Sequence, residues 1–214
     1  ARTDPDAPKH KGITMFMLDM NTPGVSVRPL INMAGRHGFN EVFFEDVRIP
    51  ANQVVGEVNR GWYHLAVALD FERSGIGAYA GGRKRVERLM KLAKDHPELA
   101  ERRPSIRHEL ADRHIEVTTG TFLSYRVAHM QAKGLVPNHE ASASKLFGSE
   151  LSQRIGKTGM SMLGMLGQLR NGSKQEIMDI ATPYLSSMSS TVAAGTSEIQ
   201  RNIIATRGLG LPRG

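Results

Sequence analysis

The chain has no cysteine among its 214 residues, which excludes disulfides and thiolate metal sites. Aromatic residues make up only 6%. None interleaves with the basic cluster at Arg83-Lys84-Arg85, Arg88, Lys91, Lys94 and Arg102-Arg103. The net charge of +7 permits binding to an anion, whether nucleic acid, a membrane surface or a phosphorylated cofactor. Without an aromatic platform for stacking bases, nucleic acid is not the expected partner. No apolar run approaches the length of about 18 residues that a membrane span needs. The eight histidines show no metal spacing: neither His108 and His114 nor His10 and His37 form an i, i+4 pair. There is no Ser-His-Asp arrangement and no GxGxxG fingerprint. Residues 1–10 are polar and Pro-rich, unlike a signal peptide, so a cytoplasmic location is expected.

What is present is ordinary for a globular protein: 40% hydrophobic and 23% charged residues, in a chain long enough for one or two domains. The pattern changes near residue 60. Before it, Ile13, Met15 and Met17 alternate with Thr14, Phe16 and Leu18, a strand pattern resumes at Val25–Val27 after the Thr22-Pro23-Gly24 turn, and alternation returns over Asn40–Ile49. These segments predict about four antiparallel strands. The chain opens in mid-pattern without an initiating Met, which suggests part of a β domain. After Gly61 the period is helical. Helices are expected over Trp62–Lys94, over Ser105–Lys133 with Ser105 as N-cap, over His139–Arg170, and over Ser197–Arg207. Residues 176–190 are ambiguous because Pro183 interrupts them. The expected fold is therefore α+β: a partial antiparallel β domain at residues 1–57, then an up-down four-helix bundle at 58–214.

One residue breaks the helical pattern in an informative way. Leu65, Leu69, Glu72 and Ile76 share one helix face by their spacing, so Glu72 sits in an apolar stripe. Its i±3 and i±4 neighbours, Leu69, Gly75, Ala68 and Ile76, provide no cation. A carboxylate so placed is either paired at long range or held with a raised pKa, ready to take a proton. The plainer alternative is a half-exposed helix acid beside Arg73. Met160, Met162 and Met165 present a similar choice between a flexible acyl pocket and ordinary core, and core packing is the expectation.

Four segments together resemble the acyl-CoA dehydrogenases: Phe43-Phe-Glu-Asp-Val-Arg-Ile-Pro50, Val55-Gly-Glu-Val-Asn-Arg-Gly-Trp62, Leu69-Asp-Phe-Glu-Arg73 and Ala193-Ala-Gly-Thr-Ser-Glu-Ile-Gln-Arg201. They occur in family order and at family spacing over nearly the whole chain. The resemblance implies the carboxy-terminal part of such an enzyme, with an N-terminal helical domain and the start of the β domain missing. It also implies FAD as cofactor, an acyl-CoA substrate, an electron-transferring flavoprotein as acceptor and a tetrameric homo- or hetero-oligomer.

The family reaction is α,β-dehydrogenation of the thioester, in which a carboxylate removes the α-proton and the β-hydrogen leaves as hydride. The base commonly stands just before the Gly-Thr of the last motif, which here is Ala194. Isovaleryl-CoA-like members place it on the first long helix of the C-terminal domain, which here is Glu72. Loss at one position with gain at the other makes Glu72 the expected catalytic base. By the same matching, Asp70 contacts the pantetheine of CoA and Arg73 helps organise the active site. Gly195 and Thr196 approach the phosphate and ribitol of the flavin, where a glycine admits close backbone and a helix N-terminus favours an anion. Glu198 lies near the cofactor. The family's Arg-x-x-Phe-Gly and Gln-x-x-Gly-Gly segments have no counterparts; Arg107 is the candidate for the first, and Ser161–Gly167 replaces the second. A competing expectation follows: a non-catalytic subunit or fragment that scaffolds oligomerisation and completes a partner's FAD site. A third keeps the fold but uses flavin with O₂.

Overall fold

The structure, a computed structural model, describes residues 1–72 (side chains of 69–72 excepted), 75–169 and 179–212. The chain divides into two compact units, Ala1–Glu72 and Arg73–Gly214.

In the first unit, β1 (Met15–Phe16) pairs antiparallel with β4 (Val54–Val55), and β2 (Val25–Ile31) pairs antiparallel with β3 (His37–Phe44). The four strands thus form two separate pairs: β1, β2 and β3 fall on the expected segments, β4 lies outside them, and the run at Ile13–Leu18 is a strand for only two residues. The hairpin register sets Val25 opposite Phe44 and Val27 opposite Val42. Its turn is made by Asn32, whose Oδ1 accepts from the backbone N–H of Ala34 at 3.0 Å and of Arg36 at 3.1 Å, while Gly35 supplies a φ of 68°. Thr14, 1% exposed, ties the N-terminus down: its carbonyl accepts from the Ala1 ammonium at 2.9 Å and its Oγ1 accepts from Asn59 N at 2.8 Å. The hairpin leaves large apolar side chains uncovered, with Ile31, Phe39 and Phe44 each more than half exposed.

Helix α1 (Gly61–Glu72) closes this unit, and Leu65 on its stripe is exposed. The long helix expected from Trp62 to Lys94 is interrupted. Gly75 has a φ of 66°, a left-handed conformation that no α-helix interior accommodates, and α2 (Ile76–Asp95) starts after it. Ile76 therefore belongs to a different helix from Leu65 and Glu72.

The second unit is helical. It contains α2, α3 (Pro97–Arg102), α4 (Ile106–Ala132), α5 (His139–Leu163), α6 (Ala181–Ser187) and α7 (Ser197–Ile203). Short 3-10 turns follow α5 and α6, and one π-helical turn follows α7. Gly164, with a φ of 56°, stops α5 seven residues short of the expected Arg170, itself outside the described residues. Ser105 is the N-cap residue of α4, but its hydroxyl donates to Glu109 at 3.3 Å instead of accepting from the backbone. Pro97 at the first position of α3 explains a helix where a loop is expected. No helix among the described residues is long and apolar enough to cross a membrane.

Helices α2, α4 and α5 share one core. Val86, Leu89, Ile106, Val117, Leu151, Ile155 and Met162 are all buried in it. Met162 is thus core, as expected, whereas Met165 is 85% exposed. The tightest approach surrounds Tyr79 on α2. Its ring lies against Gly120 of α4 and Gly148 of α5, and its hydroxyl donates to the Ser144 carbonyl at 2.6 Å. Burial pushes the Tyr79 hydroxyl pKa upward, so it stays protonated as a donor. A Cβ at Gly120 would come 2.0 Å from Tyr79 Cε1. Gly120→Ala is therefore expected to destabilise the protein by about 1–3 kcal/mol through overpacking. Gly81→Ala, in an open position of α2, is expected to stabilise by about 0.5–1 kcal/mol. Urea unfolding of both variants checks this; a neutral Gly120→Ala would refute the tight-slot account.

Candidate functional site

Just before α7 the second unit has a turn whose backbone is unusual at two successive residues. Ala194 has a φ of 53° and Gly195 a φ of 91°. The left-handed state is easy for glycine, but for the alanine it costs on the order of 1 kcal/mol or more. Hydrogen bonds hold both carbonyls. Gln200 Nε2 donates to Ala194 O at 3.1 Å and to Gly195 O at 3.4 Å, and Lys145 Nζ on α5 donates to Gly195 O at 2.6 Å. Thr196 is extended and caps α7, its Oγ1 accepting from Ile199 N at 3.3 Å. The helix start expected at Ser197 is found.

Two side chains at this helix start carry the local chemistry. Ser197 is 6% exposed, and its Oγ makes no hydrogen bond among the described residues. Such a group awaits a polar partner. The Glu198 carboxyl is held below the ordinary glutamate value by its own backbone N–H and the Thr196 hydroxyl, with smaller contributions from Arg201 and Lys145. It is a carboxylate near neutral pH, suited to accepting hydrogen bonds but not to general-base work.

Beside the turn lies a cleft of ≈ 600 Å³ between α5, α6 and α7. Thr196, Ser197 and Glu198 line it together with Arg154, Lys157, Tyr184 and Arg201. Arg201, Glu150 and Arg154 on its wall begin an alternating ladder that continues away from the cleft onto α4. Arg201 Nη2 donates to Glu150 Oε1 at 2.6 Å, Arg154 Nε stands 3.0 Å from Glu116 Oε1, and Arg113 Nε donates to Glu116 Oε2 at 2.5 Å. These partly exposed pairs add little stability; the Arg201–Glu150 pair joins α7 to α5, and the Arg154–Glu116 pair joins α5 to α4.

The structure brings Gly195, Thr196 and Glu198 together on one turn. Arg107 is exposed on the first turn of α4 and is not among the residues lining the cleft. Asp70 and Glu72 lie in the last turn of α1, with side chains outside the described residues. Arg73 lies outside them entirely, as do residues 170–178. No cluster of potential metal ligands occurs among the described residues. Sequence reasoning passed over Lys145, Ser197 and Gln200. Lys145 was detectable as a cation on a face otherwise carrying the buried Ala141, Ser142 and Ser149. Its partner was not, because Gly195 is 50 residues away.

Comparison with known proteins identifies the helical unit that carries this turn and cleft. The profile of the acyl-CoA dehydrogenase C-terminal domain matches residues 59–209. The chain belongs to the acyl-CoA dehydrogenase family. It is 35% identical to the acyl-CoA dehydrogenase FadE34 of Mycobacterium tuberculosis, over all of this chain and 28% of that protein. The fold matches the Tcur3481-Tcur3483 steroid ACAD with a TM-score of 0.88 and 28% identity, and the ChsE4-ChsE5 complex from Mycobacterium tuberculosis with a TM-score of 0.79 and 27% identity. Each match covers 100% of this chain and 56% of the other. The chain thus spans between a quarter and about half of these relatives.

The Glu198 geometry makes a testable claim. A carboxyl whose pKa is depressed by folding contributes stability above its unfolded value, and that contribution is lost as pH falls towards the folded value. Glu198→Gln is therefore expected to flatten the acid-side loss of stability below about pH 4.5 without changing stability at pH 7 to 9 in slope. Thermal unfolding over a pH series reads this directly; identical acid limbs would show that the carboxylate is not held.

Proposed function

We propose that this chain serves the α,β-dehydrogenation of an acyl-CoA thioester to the 2-enoyl-CoA, with Glu72 as the α-proton base. The observation that carries this reading is Ala194. The strained turn of the family's last motif is intact here, yet the residue before its Gly-Thr ends in a methyl group and can hold no proton. A carboxylate must then come from elsewhere, and Glu72 closes α1 in the second position that the family uses. Its carboxylate takes the α-proton, and the electron pair released moves into the new α,β double bond as the β-hydrogen departs with its electrons. When bound, FAD supplies the acceptor for that hydride. Asp70 binds the pantetheine arm of CoA, and Arg73 orders the surrounding side chains.

The residues of the turn fit a flavin dinucleotide by their chemistry. Gly195 admits close backbone, and the buried Ser197 hydroxyl lacks a partner. Thr196 and Glu198 add a hydroxyl and an acceptor for ribityl or ribose hydroxyls. Arg107 reaches the cofactor of a neighbouring subunit. Residues 1–57 are the end of the middle β domain and residues 58–214 the C-terminal helical domain. The electron acceptor is an electron-transferring flavoprotein.

A second reading has one observation in its favour. Helix α4 carries Ile115, Phe122 and Tyr125 along its outer face, each more than half exposed. Such a stripe supports packing against another subunit, in a homo- or hetero-tetramer. On this reading the chain scaffolds assembly and completes a partner's FAD site without catalysing.

Two variants separate these readings. Glu72→Gln in the full-length protein is expected to lower kcat by about 10²–10⁴-fold while leaving bound flavin unchanged. Retained turnover sinks Glu72 as base. Phe122→Asp is expected to shift the sedimentation coefficient towards smaller species, and an unaltered assembly would remove α4 from the interface.

A further inference from the structure

Among the described residues, one side-chain hydrogen bond reaches the turn at 193–196 from another helix: Lys145 Nζ to Gly195 O, 2.6 Å long and spanning 50 residues. The Gln200 bonds to the same turn come from α7 itself, so they move with it. Lys145 is half-buried in α5 and has no carboxylate within ion-pair distance among the described residues. Burial draws its pKa below the ordinary lysine value, with Glu150 and Glu198 pulling the other way. A half-buried ammonium without an ion pair gains from a strong dipole as partner, and the Gly195 carbonyl is that dipole.

The peptide joining Gly195 and Thr196 is trans, so its C=O and N–H point in opposite directions. Fixing the carbonyl on Lys145 therefore turns the Thr196 N–H away from α5. The cation also draws electron density towards the carbonyl oxygen and makes the amide on the far edge a better donor. A neutral donor would hold the turn as well but would not polarise it.

We propose that Lys145 is a positioning residue for the cofactor: it locks the Ala194-Gly195 turn in its left-handed form and presents a polarised Thr196 N–H as donor to bound FAD. This rests on the reading of Gly195 and Thr196 as cofactor residues. Lys145 acts through the peptide and touches no reacting atom. The role accounts for two features together, a lysine on an inward helix face and an alanine tolerated at a φ of 53°.

The test measures FAD dissociation constants of the full-length protein by flavin fluorescence, alongside thermal unfolding of the flavin-free protein. The variants are Lys145→Met, Lys145→Gln, Lys145→Arg and Thr196→Ala. Lys145→Met and Lys145→Gln are expected to weaken FAD about tenfold or more, and Lys145→Arg to recover most of the affinity. The flavin-free midpoints should stay close to the parent. Lys145→Gln keeps the test open if the methionine variant does not fold, because it retains a donor without the charge. Unchanged affinity in the methionine and glutamine variants, with Thr196→Ala still weakened, overturns the role of Lys145 and leaves the cofactor reading standing. Affinity that falls only in step with the flavin-free midpoint makes Lys145 a helix tie and also overturns it. If the parent takes up no FAD, the cofactor reading fails and the inference falls with it.

Discussion

Helices α2, α4 and α5 can meet only because Tyr79 finds room between Gly120 and Gly148, with its hydroxyl on the Ser144 carbonyl. A side chain at either glycine would force α4 or α5 away from α2. The buried positions Val86, Val117 and Ile155 would then lose the neighbours that keep water out. Everything that positions the turn depends on this spacing. Lys145 is one residue after Ser144, and Glu150 and Arg154 continue along the same helix. An α5 anchored through Tyr79 thus carries both the cation that holds the turn and the ladder that holds α7.

The site is assembled by a division of labour between short-range and long-range forces. Thr196 and Gln200 act within a few residues of the turn, capping α7 and bonding the strained carbonyls. Lys145, Glu150 and Arg154 act from α5 and decide where that capped helix end stands. The strain at Ala194 persists because these contacts over-determine it. The start of α7 has a second effect, because its backbone N–H and the Thr196 hydroxyl hold the Glu198 carboxyl below the ordinary glutamate value. That carboxylate stays ionised, which makes it an acceptor and separates its role from that of a proton-taking base.

Hydrogen bonding in the first unit follows the same logic on a smaller scale. Thr14 gathers Ala1, Thr3 and Asn59 around one buried hydroxyl and carbonyl. Asn32 shapes the hairpin turn through its side-chain oxygen. The strands themselves contribute little apolar burial, since both faces of the β2–β3 hairpin are exposed. Polar contacts between residues near each end of the unit do the organising that a hydrophobic core does elsewhere.

Much of this was legible in the residues. Helical period marked α4 and α5, and the helix expected from Ser197 starts there as α7. These signals are local: they need neighbours within about one helical turn and survive in any context. The break at Gly75 was not legible, because a glycine inside an apolar period is as compatible with a continuous helix as with a left-handed kink. The two-by-two pairing of the strands was equally hidden, since alternation reveals a strand but not its partner. The bond from Lys145 to Gly195, the slot around Tyr79 and the orphaned Ser197 hydroxyl exist only once distant segments are packed. A sequence specifies which groups are available. Tertiary packing alone decides which of them meet, because hydrogen bonds and steric exclusion act over a few ångströms between residues that the chain keeps far apart.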